Sequence, residues 1–322
     1  MTSRERRAVV EPVVVQDFVP AIDLSGRTTA EGRAAIAAAI GKACEGSGFF
    51  TVVGHGVPRE LVNRMYTTTK TFFTRPEEEK DRSANRGSGV SGLRRPGGPY
   101  EAFAAHVTGD LSDEERARLG THPATWKAAN IWPDDDFKAV WYEYIAAMTE
   151  LSADIMRLFA LALGLPEDFF DSKFDEHVSL IIANYYYPTP DDGVLRREMH
   201  TDWGSLTVLY VEDELGGLQV RRGDDDWLDV PAIPGSFVVN IGDLMAFWTG
   251  GRWASTVHRV VNPEGTDAPS RVSIPFFYLP NHDTTIEPMR PLAQESAEAG
   301  LDRVTVGEWF SHKMQSTYQA SA

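Results

Sequence analysis

Two histidines and one aspartate have the residue types and spacing of a metal site. His200 and Asp202 are separated by Thr201, and because side chains alternate along a β-strand, we expect both to project to one side. His258 lies in a later β-branched run, residues 255–261, which is typical of another strand. Two imidazoles and one carboxylate on one face of a metal ion form the facial triad of non-haem Fe(II) oxygenases, which leaves positions open for a co-substrate and O₂.

Arg271 and Ser273 follow His258 at the spacing that places two strand residues on one face. A planar guanidinium donates two parallel charge-assisted hydrogen bonds to a carboxylate, and a neighbouring hydroxyl can add a third. A 2-oxo acid that chelates iron through its keto end needs such an anchor for its far carboxylate. The pair is therefore a candidate binding site for the distal carboxylate of a 2-oxo acid.

Each of these signals has a structural alternative when it is taken alone. His200 and Asp202 could be a hydrogen-bonded pair at the end of a strand, and His258 could be a core histidine. The full combination with Arg271 and Ser273 arises by chance far less often than any one of these signals, so it favours a metal site over the structural alternatives. Zn²⁺ fits less well, because it prefers a closed or single-water tetrahedral site and has no use for an anchoring arginine.

The elements that must position these residues are mostly short strands. β-rich segments separated by turn signals such as Pro234-Gly235 predict a sandwich or barrel of the jelly-roll type; they are residues 179–187, 207–211, 218–221, 227–230, 236–241, 256–261 and 272–278. Three consecutive valines at 13–15 also predict a short strand. Apolar periodicity predicts helices over residues 28–44, from 58 to about 75, over 137–164 and over 305–318.

Three polar residues near these motifs are expected to be structural. His55 lies between two glycines at the end of a strand and reads as a turn histidine. Arg259 faces away from His258 by alternation, and Asp243 reads as a turn residue. Leu206, Trp248 and Phe277 could line an apolar pocket, although core packing is the commoner role for such side chains.

Residues 83–99 are rich in Gly, Ser, Pro and Arg and predict a long loop. Long loops in compact domains are usually functional or disordered, so this one is either a solvated linker or a lid over the substrate. As a lid, it could bring Arg86, Arg94 or Arg95 to an acidic substrate group.

Composition excludes several classes of protein. The chain of 322 residues is 42% hydrophobic and 24% charged, which suits a soluble protein with a substantial core. A net charge of −16 argues against nucleic acid as a partner, because phosphate binding needs a basic face. No apolar run is long enough for a membrane span, and the polar start does not resemble a secretory signal. The single cysteine, Cys44, agrees with a cytoplasmic location.

The order His200-x-Asp202, His258, Arg271-x-Ser273 resembles the 2-oxoglutarate/Fe(II)-dependent dioxygenases of the isopenicillin N synthase-like family. The resemblance covers nearly the whole chain and includes residues 19–24, 48–57, 130–133, 184–186 and 258–260, as well as 271–277. It implies a mixed α/β fold, mainly β, with a distorted jelly-roll (double-stranded β-helix) core, an N-terminal α/β region and flanking helices. We expect the N-terminal region with its active-site loop over 1–125, and the long helix, catalytic core and C-terminal helix over 126–322.

The resemblance also implies ligands and activity. Fe(II) would be bound by His200, Asp202 and His258, and 2-oxoglutarate by Arg271 and Ser273, with Asn184 and a tyrosine nearby. Tyr187 precedes Pro188 as the family's tyrosine does, whereas counting from Asn184 points to Tyr186, so both stay candidates. Decarboxylation of 2-oxoglutarate to succinate and CO₂ would be coupled to oxidation of a C–H bond by O₂.

The sequence therefore predicts a dioxygenase that hydroxylates, desaturates or cyclises a small, acidic metabolite. The family often takes an arginine for a substrate carboxylate from the segment that corresponds to 83–99, and Phe277 is a further candidate contact. Where many relatives have Arg-Gly-Tyr, this chain has Arg86-Gly87-Ser88. One alternative is an isopenicillin N synthase-type oxidase that uses no 2-oxoglutarate, and another is a non-catalytic jelly-roll module with a metal site.

Overall fold

The computed structural model describes residues 18–87, 90–112, 114, 128–188, 195–212, 215–224, 226–262, 269–289 and 303–320, with side chains in the last segment up to residue 315. The predicted strand at 13–15 and the predicted boundary near residue 125 lie outside the described residues.

Six α-helices are described, and capping residues explain where the long ones begin. The side chain of Thr29 accepts a hydrogen bond from the backbone N–H of Gly32, and that of Asp134 accepts one from Phe137. The prediction of four helices is confirmed to within two residues at most ends, and the two short helices were not predicted. The helices are α1 (Ala30–Gly46), α2 (Arg59–Phe73), α3 (Glu77–Lys80), α4 (Asp135–Ala162), α5 (Asp243–Trp248) and α6 (Val306–Ala320).

Fourteen strands are described, and all seven predicted β segments after residue 179 are among them. The strands are β1 (Ala21–Asp23), β2 (Phe49–Val53), β3 (Gly92–Arg94), β4 (Tyr100–His106), β5 (Leu180–Tyr186), β6 (Arg197–His200), β7 (Leu206–Val211), β8 (Leu218–Arg222), β9 (Asp226–Asp229), β10 (Phe237–Ile241), β11 (His258–Val260), β12 (Arg271–Tyr278), β13 (Thr285–Ile286) and β14 (Val304–Thr305).

Two sheets form the core of the fold. The larger has eight strands in the order β1-β2-β10-β7-β12-β5-β4-β3, and the smaller has four in the order β6-β11-β8-β9. All pairs are antiparallel except β1 with β2. This mainly β arrangement, with helices at one side, is the predicted jelly-roll core. The large sheet also takes in strands from the N-terminal region.

The two faces of the large sheet have different tasks, as strand β12 shows. Val272, Ile274 and Phe276 are buried in the main hydrophobic cluster together with residues of α1, α2 and α4. Ser273 and Pro275, on the opposite face, line a pocket between the two sheets. Because side chains alternate along a strand, the apolar face fixes the sheet on the helices, and the other face is free to carry polar groups.

The predicted loop at 83–99 is wrong in part, because it contains β3 and leads directly into β4. Leu93 pairs with Phe103, and both are buried. The sequence of β4 did not predict a strand because alanines at 102, 104 and 105 are weak strand formers. The strand is also buried on both faces, which removes the alternating pattern. Within the described part of the chain, no helix is both long enough and apolar enough to cross a membrane.

Candidate metal centre and co-substrate pocket

His200, Asp202 and His258 come together at one edge of the pocket. His200 ends β6 and pairs directly with His258 on β11, with their ring centroids 4.3 Å apart. Asp202 Oδ1 lies 3.9 Å from His258 Nε2, and one ligand atom from each residue lies within 4.8 Å of the others. Of the described residues, this is the only group of three or more His, Cys, Asp or Glu side chains that could hold one metal ion.

The alternation predicted for His200 and Asp202 is not how they converge. Strand β6 ends at His200, so Asp202 lies beyond it in the segment that leads to β7. Its Oδ2 instead accepts hydrogen bonds from Thr207 Oγ1 at 2.6 Å and from Asn240 Nδ2 at 2.7 Å. Thr207 lies on β7 and Asn240 on the neighbouring β10, so the large sheet orients the carboxylate towards the histidines.

Each histidine is also oriented by the protein through its second ring nitrogen. Nδ1 of His200 donates to the carbonyl oxygen of Glu198 at 2.8 Å, and Nδ1 of His258 donates to that of Thr256 at 3.1 Å. Because a carbonyl only accepts, the lone pair lies on Nε2 in the neutral form of each ring. This is the arrangement by which backbone carbonyls fix the tautomer of metal-binding histidines.

The protonation states suit a divalent metal ion. Burial, assisted by the nearby His258, lowers the pKa of His200 to about 4, so its imidazole is neutral near pH 7. Burial alone would raise the pKa of Asp202. The neighbouring histidines and the hydrogen bonds from Thr207 and Asn240 outweigh that effect, so its pKa is lowered and the group is a carboxylate. A neutral imidazole at His200 and a carboxylate at Asp202 are donors that Fe(II) takes in a facial triad.

Arg271 lies inside the protein, and no carboxylate of the described residues forms an ion pair with it. It is 1% exposed, and its Nε and Nη1 atoms have no hydrogen-bond partner among the described residues. Its Cζ lies 5.5 Å from the centre of the Tyr186 ring. Burial lowers the pKa of the guanidinium, although Tyr186 and Glu212 oppose this. An uncompensated buried cation is strongly unfavourable, so the site fits a ligand that brings a carboxylate.

The other predicted co-substrate residues lie on the same face of the sheet. Ser273 and Asn184 are opposite each other on β12 and β5, and Asn184 Nδ2 donates to Ser273 Oγ at 3.5 Å. Tyr186 lines the pocket, whereas Tyr187 does not, and its hydroxyl bonds Glu101. Strand alternation therefore decides between the two tyrosines in favour of Tyr186 as the one that faces the pocket.

The predicted substrate contacts separate into two groups. Phe277 and Arg94 line the pocket. Arg86 is exposed and is not among the lining residues. Arg95 is a correction, because its guanidinium is bound by three carboxylates, at 2.5 to 2.8 Å, on the far side of β4; they belong to Glu77, Asp81 and Glu101. Leu206 and Trp248 are buried in the main hydrophobic cluster.

Two of the residues expected to be structural are so. His55 donates from Nε2 to the carbonyl of Gly235 at 3.0 Å and accepts from the N–H of Val57 at Nδ1. Arg259 points away from the pocket, where its Cζ lies 4.0 Å from the Trp227 ring centre. Neither side chain lines the pocket.

Asp243, which the sequence predicted as a turn residue, connects the segments that carry the metal ligands. It begins α5 and accepts hydrogen bonds from Thr201 Oγ1 at 3.1 Å and Ser255 Oγ at 2.6 Å. Lys313 of α6 lies 3.1 Å from its Oδ2. The preceding Gly242 allows the start of α5 to lie close to the backbone of Asp202, because a Cβ at Gly242 would lie 2.7 Å from the carbonyl oxygen of Asp202. No local pattern reveals such a role, since the partners are far apart in sequence.

Arg197 is a second residue that the sequence did not single out. It lines the pocket together with His200, which is three residues further along β6. Strand alternation alone would place residues at this odd spacing on opposite faces.

The comparisons with known proteins agree with this geometry. Residues 177–280 match the family model described as 2OG-Fe(II) oxygenase superfamily, and residues 19–135 match the model for the N-terminal region of non-haem dioxygenases in morphine synthesis. Validamycin A dioxygenase of Streptomyces hygroscopicus subsp. limoneus is 33% identical over an alignment 322 positions long. The alignment covers 92% of this chain and 85% of the relative. A homoarginine-6-hydroxylase of Oryza sativa subsp. japonica is 31% identical, covering 86% and 87% of the two chains.

Solved structures share the fold across almost the whole chain. A full-length Neurospora crassa protein, crystallised in complex with alpha-KG, has a TM-score of 0.83 and 25% identity, and the match covers 96% of this chain and all of that one. JOX2 in complex with 2OG, Fe and JA has a TM-score of 0.75 and 30% identity, with coverages of 92% and 84%.

A jelly roll with a His-Asp-His site and a buried arginine defines a class of iron-dependent oxygenases. The chain belongs to the 2OG-Fe(II) oxygenase superfamily and is a 2-oxoglutarate- and Fe(II)-dependent dioxygenase that uses O₂. The predicted family, fold, enzyme class and cofactors are thereby confirmed. The alternatives of an oxidase without 2-oxoglutarate and of a non-catalytic module are not favoured.

Proposed function

We propose that His200, Asp202 and His258 bind Fe(II) and that Arg271 binds the distal carboxylate of 2-oxoglutarate, with Ser273, Asn184 and Tyr186 beside it. The observation that carries this proposal is the buried guanidinium of Arg271, which lies on the strand face that also carries Ser273 and whose Nε and Nη1 have no partner among the described residues. A carboxylate would satisfy both atoms and balance the charge.

The residues around the metal prepare the reaction before any ligand arrives. When bound, iron and 2-oxoglutarate supply an oxidant for C–H bonds from O₂, with release of succinate and CO₂. Thr207 and Asn240 fix one oxygen of Asp202 and leave Oδ1 for the metal. Ile182, Leu209 and Phe277 make the neighbouring wall apolar, which limits water near the reacting group.

We further propose that the substrate is a small, acidic metabolite. Arg94 supports this, because it is the one arginine of the predicted loop that lines the pocket. The relatives carry names that refer to validamycin A, homoarginine and auxin, so small molecules of varied chemistry are accepted within the family. Hydroxylation is the simplest outcome, and desaturation or cyclisation requires only a different fate of the substrate.

Two further expectations stand as proposals. We expect a cytoplasmic location, which the single and buried Cys44 supports. We also retain the division into an N-terminal region over 1–125 and a catalytic region over 126–322. The sheet shared by strands from both regions supports their acting as one integrated unit.

The test measures succinate formation by the purified protein with Fe(II), 2-oxoglutarate and O₂ against a library of small acids and their neutral analogues. Arg271→Leu should raise the KM for 2-oxoglutarate strongly, because losing one partner of a buried charge pair costs about 2–5 kcal/mol. Arg259→Leu is the matched control and should leave this KM unchanged. Full substrate oxidation without any 2-oxo acid would contradict the assignment of Arg271.

A further inference from the structure

The exposed side of the pocket carries two arginines that no carboxylate of the described residues neutralises. Arg94 and Arg197 both line the pocket, both are exposed, and neither forms an ion pair within the described part of the chain. Asp202 is the only acid among the described lining residues, and it belongs to the candidate metal site. In a protein of net charge −16, this opening is a local region of positive charge.

A β-bulge turns Arg197 towards the metal ligands. His258 pairs with His200 and Val260 pairs with Arg197, so two steps on β11 face three steps on β6. The extra residue reverses the alternation, and Arg197 therefore faces the same side as His200. Bulges commonly re-aim one side chain next to an active site. The positive charge of Arg197 also acts on the imidazole of His200.

Tyr100 holds Arg197 in place, and most of the Arg197 donors form no hydrogen bond with the residues that the structure describes. The Tyr100 hydroxyl accepts a hydrogen bond from Nη1, and the Arg197 Cζ lies 5.6 Å from the centre of the tyrosine ring. A guanidinium has five N–H donors. Cation–π contact orients the planar group and leaves its edge able to bind a carboxylate with two hydrogen bonds.

Arg197 is separate from the proposed co-substrate site. The Tyr100 and Tyr186 rings lie 5.5 Å apart, and Arg271 lies 5.5 Å from the Tyr186 ring centre. A row of two tyrosines thus has the buried Arg271 at one end and the exposed Arg197 at the other. The two cations suit two different anions, one deep in the pocket and one at its opening.

Arg94 approaches the opening from the strand on the other side of Tyr100. It pairs with Ala102, which also lines the pocket, so the alternation of β3 and β4 places both on the pocket face. The adjacent Arg95 points the opposite way and is neutralised by three carboxylates. The described part of the chain therefore provides counter-ions for Arg95, which faces away from the pocket, and none for Arg94, which faces it.

We propose that Arg197, oriented by Tyr100 and assisted by Arg94, binds a carboxylate of the oxidised substrate and determines the specificity for acids. This inference rests on the proposed function and names the residue that recognises the acidic group. Arg197 lies three residues from His200 on the same strand face. A substrate held there by its acid would therefore place a carbon of its chain near the metal.

The experiment compares matched ligands on enzyme loaded with Mn(II) and 2-oxoglutarate under anaerobic conditions. The probes are hexanoate, phenylacetate and 3-phenylpropionate, each with its primary amide, and binding is measured by calorimetry. For the wild-type enzyme we expect at least one acid to bind about tenfold or more tightly than its amide, as a charge-assisted hydrogen bond to a fixed arginine requires.

Arg197→Met keeps the length of the side chain and removes its charge, and it should abolish the preference for the acid. Arg197→Lys should retain part of the preference, because the charge remains but the fork is lost. Arg94→Met should reduce it to a smaller extent. Arg259→Met is the matched control, since that arginine lies on the neighbouring strand and faces away from the pocket. All variants should bind 2-oxoglutarate as the wild type does.

Three results would overturn the inference. The first is a panel in which no acid binds more tightly than its amide, whether both bind equally or neither binds. The second is an unchanged preference in Arg197→Met. The third is a loss of 2-oxoglutarate binding in that variant, which would assign Arg197 to the co-substrate. Failure of the proposed function is distinct, because the wild-type enzyme itself would then bind no 2-oxoglutarate.

Discussion

The candidate metal ligands His200, Asp202 and His258 each use one polar atom to contact the protein and leave another facing the candidate metal site. The supporting contacts differ in kind, since the histidines donate to backbone carbonyls and the aspartate accepts from two side chains. A metal ligand that is held in this way loses little orientational freedom on binding. The ligands and the groups that hold them therefore both contribute to metal affinity.

We expect variants of the supporting residues to lose some metal affinity and variants of the ligands to lose more. Thr207→Val removes a hydrogen bond to Asp202 and should weaken Fe(II) binding by about 10–100-fold. His258→Ala removes a ligand and should weaken it further. The exposed His312 provides the control variant His312→Ala. Anaerobic titration with Fe(II) measures the affinities, and a His258→Ala protein that keeps one iron per chain would show that the distal ligand is misassigned.

His177 predicts a pH dependence of stability that is unrelated to the metal. Burial lowers its folded pKa to about 4, below the value near 6.5 of an unfolded histidine. Because the unfolded chain takes up the proton first, stability should be full above pH 6.5 and should fall as the pH drops towards 4. Between pH 7 and pH 5 this residue should contribute a loss of about 1–2 kcal/mol.

The measurement is the free energy of unfolding of the wild type and of His177→Gln at both pH values. The variant should lose less stability than the wild type on acidification, since glutamine takes up no proton. Equal losses in the two proteins would assign the acid sensitivity to other groups.

At the scale of elements, the C-terminal helix α6 is attached directly to the metal region. Lys313 and Asp243 are both 15% exposed and form an ion pair at 3.1 Å, and Trp309 Nε1 donates to the carbonyl of Trp203 at 2.9 Å. Asp243 in turn receives hydrogen bonds from Thr201, between two proposed ligands, and from Ser255, before the third. A change in α6 can therefore alter the positions of all three ligands.

Lys313→Met should lower both stability and metal affinity. Removing one partner of this mostly buried pair should reduce the free energy of unfolding by about 1–3 kcal/mol. Lys138→Met is the control, because that ammonium is 39% exposed and lies 3.6 Å from Asp110. Thermal unfolding and metal titration test the two effects. A variant that is less stable but binds Fe(II) normally would limit Asp243 to a structural role.

Sequence pattern predicts those elements whose environment is periodic. Strand β12 alternates between the helix-packed face and the pocket face, and helix α4 carries a regular apolar stripe, so both were predicted nearly to the residue. Strand β4 is buried on both faces and lacks that alternation. The roles of Arg197 and Asp243 depend on a bulge and on contacts between distant segments, and no local spacing encodes either.

The candidate site divides in the same way. Residue type and order were enough to select His200, Asp202 and His258 as a candidate metal site and Arg271 with Ser273 as a candidate anion site, because the chemistry of iron and of a carboxylate restricts the possible partners. The choice between Tyr186 and Tyr187 needed the register of β5, which only the folded sheet defines. The sequence could not predict that Arg197 has free donors within the described part of the chain, because this depends on which carboxylates of the folded chain lie near the pocket.

At the scale of the whole molecule, the proposed co-substrate site opposes stability in the ligand-free protein. Arg271 is buried and forms no ion pair with any of the described residues, whereas the equally buried Arg196 donates to Asn262 at 2.5 Å and to the Pro269 carbonyl at 2.8 Å. We therefore expect Arg271→Leu to unfold at the same temperature as the ligand-free wild type or a higher one, because an apolar residue can replace a buried charge favourably. Arg196→Leu should unfold at a lower temperature, since it removes the hydrogen bonds that Arg196 donates to Asn262 and to the Pro269 carbonyl.

Ligand binding should reverse the order of the wild type and Arg271→Leu. With a metal ion present and 2-oxoglutarate at about 100 times its Kd, the wild type should gain about 2.7 kcal/mol, whereas Arg271→Leu should gain little. For a chain of this size such a gain raises Tm by roughly 5 °C. Thermal unfolding with Mn(II), with 2-oxoglutarate and with both measures this, and the shift with both should exceed the sum of the separate shifts because the co-substrate bridges the metal and the arginine. An Arg271→Leu protein that is stabilised by 2-oxoglutarate as much as the wild type would remove Arg271 from the co-substrate site.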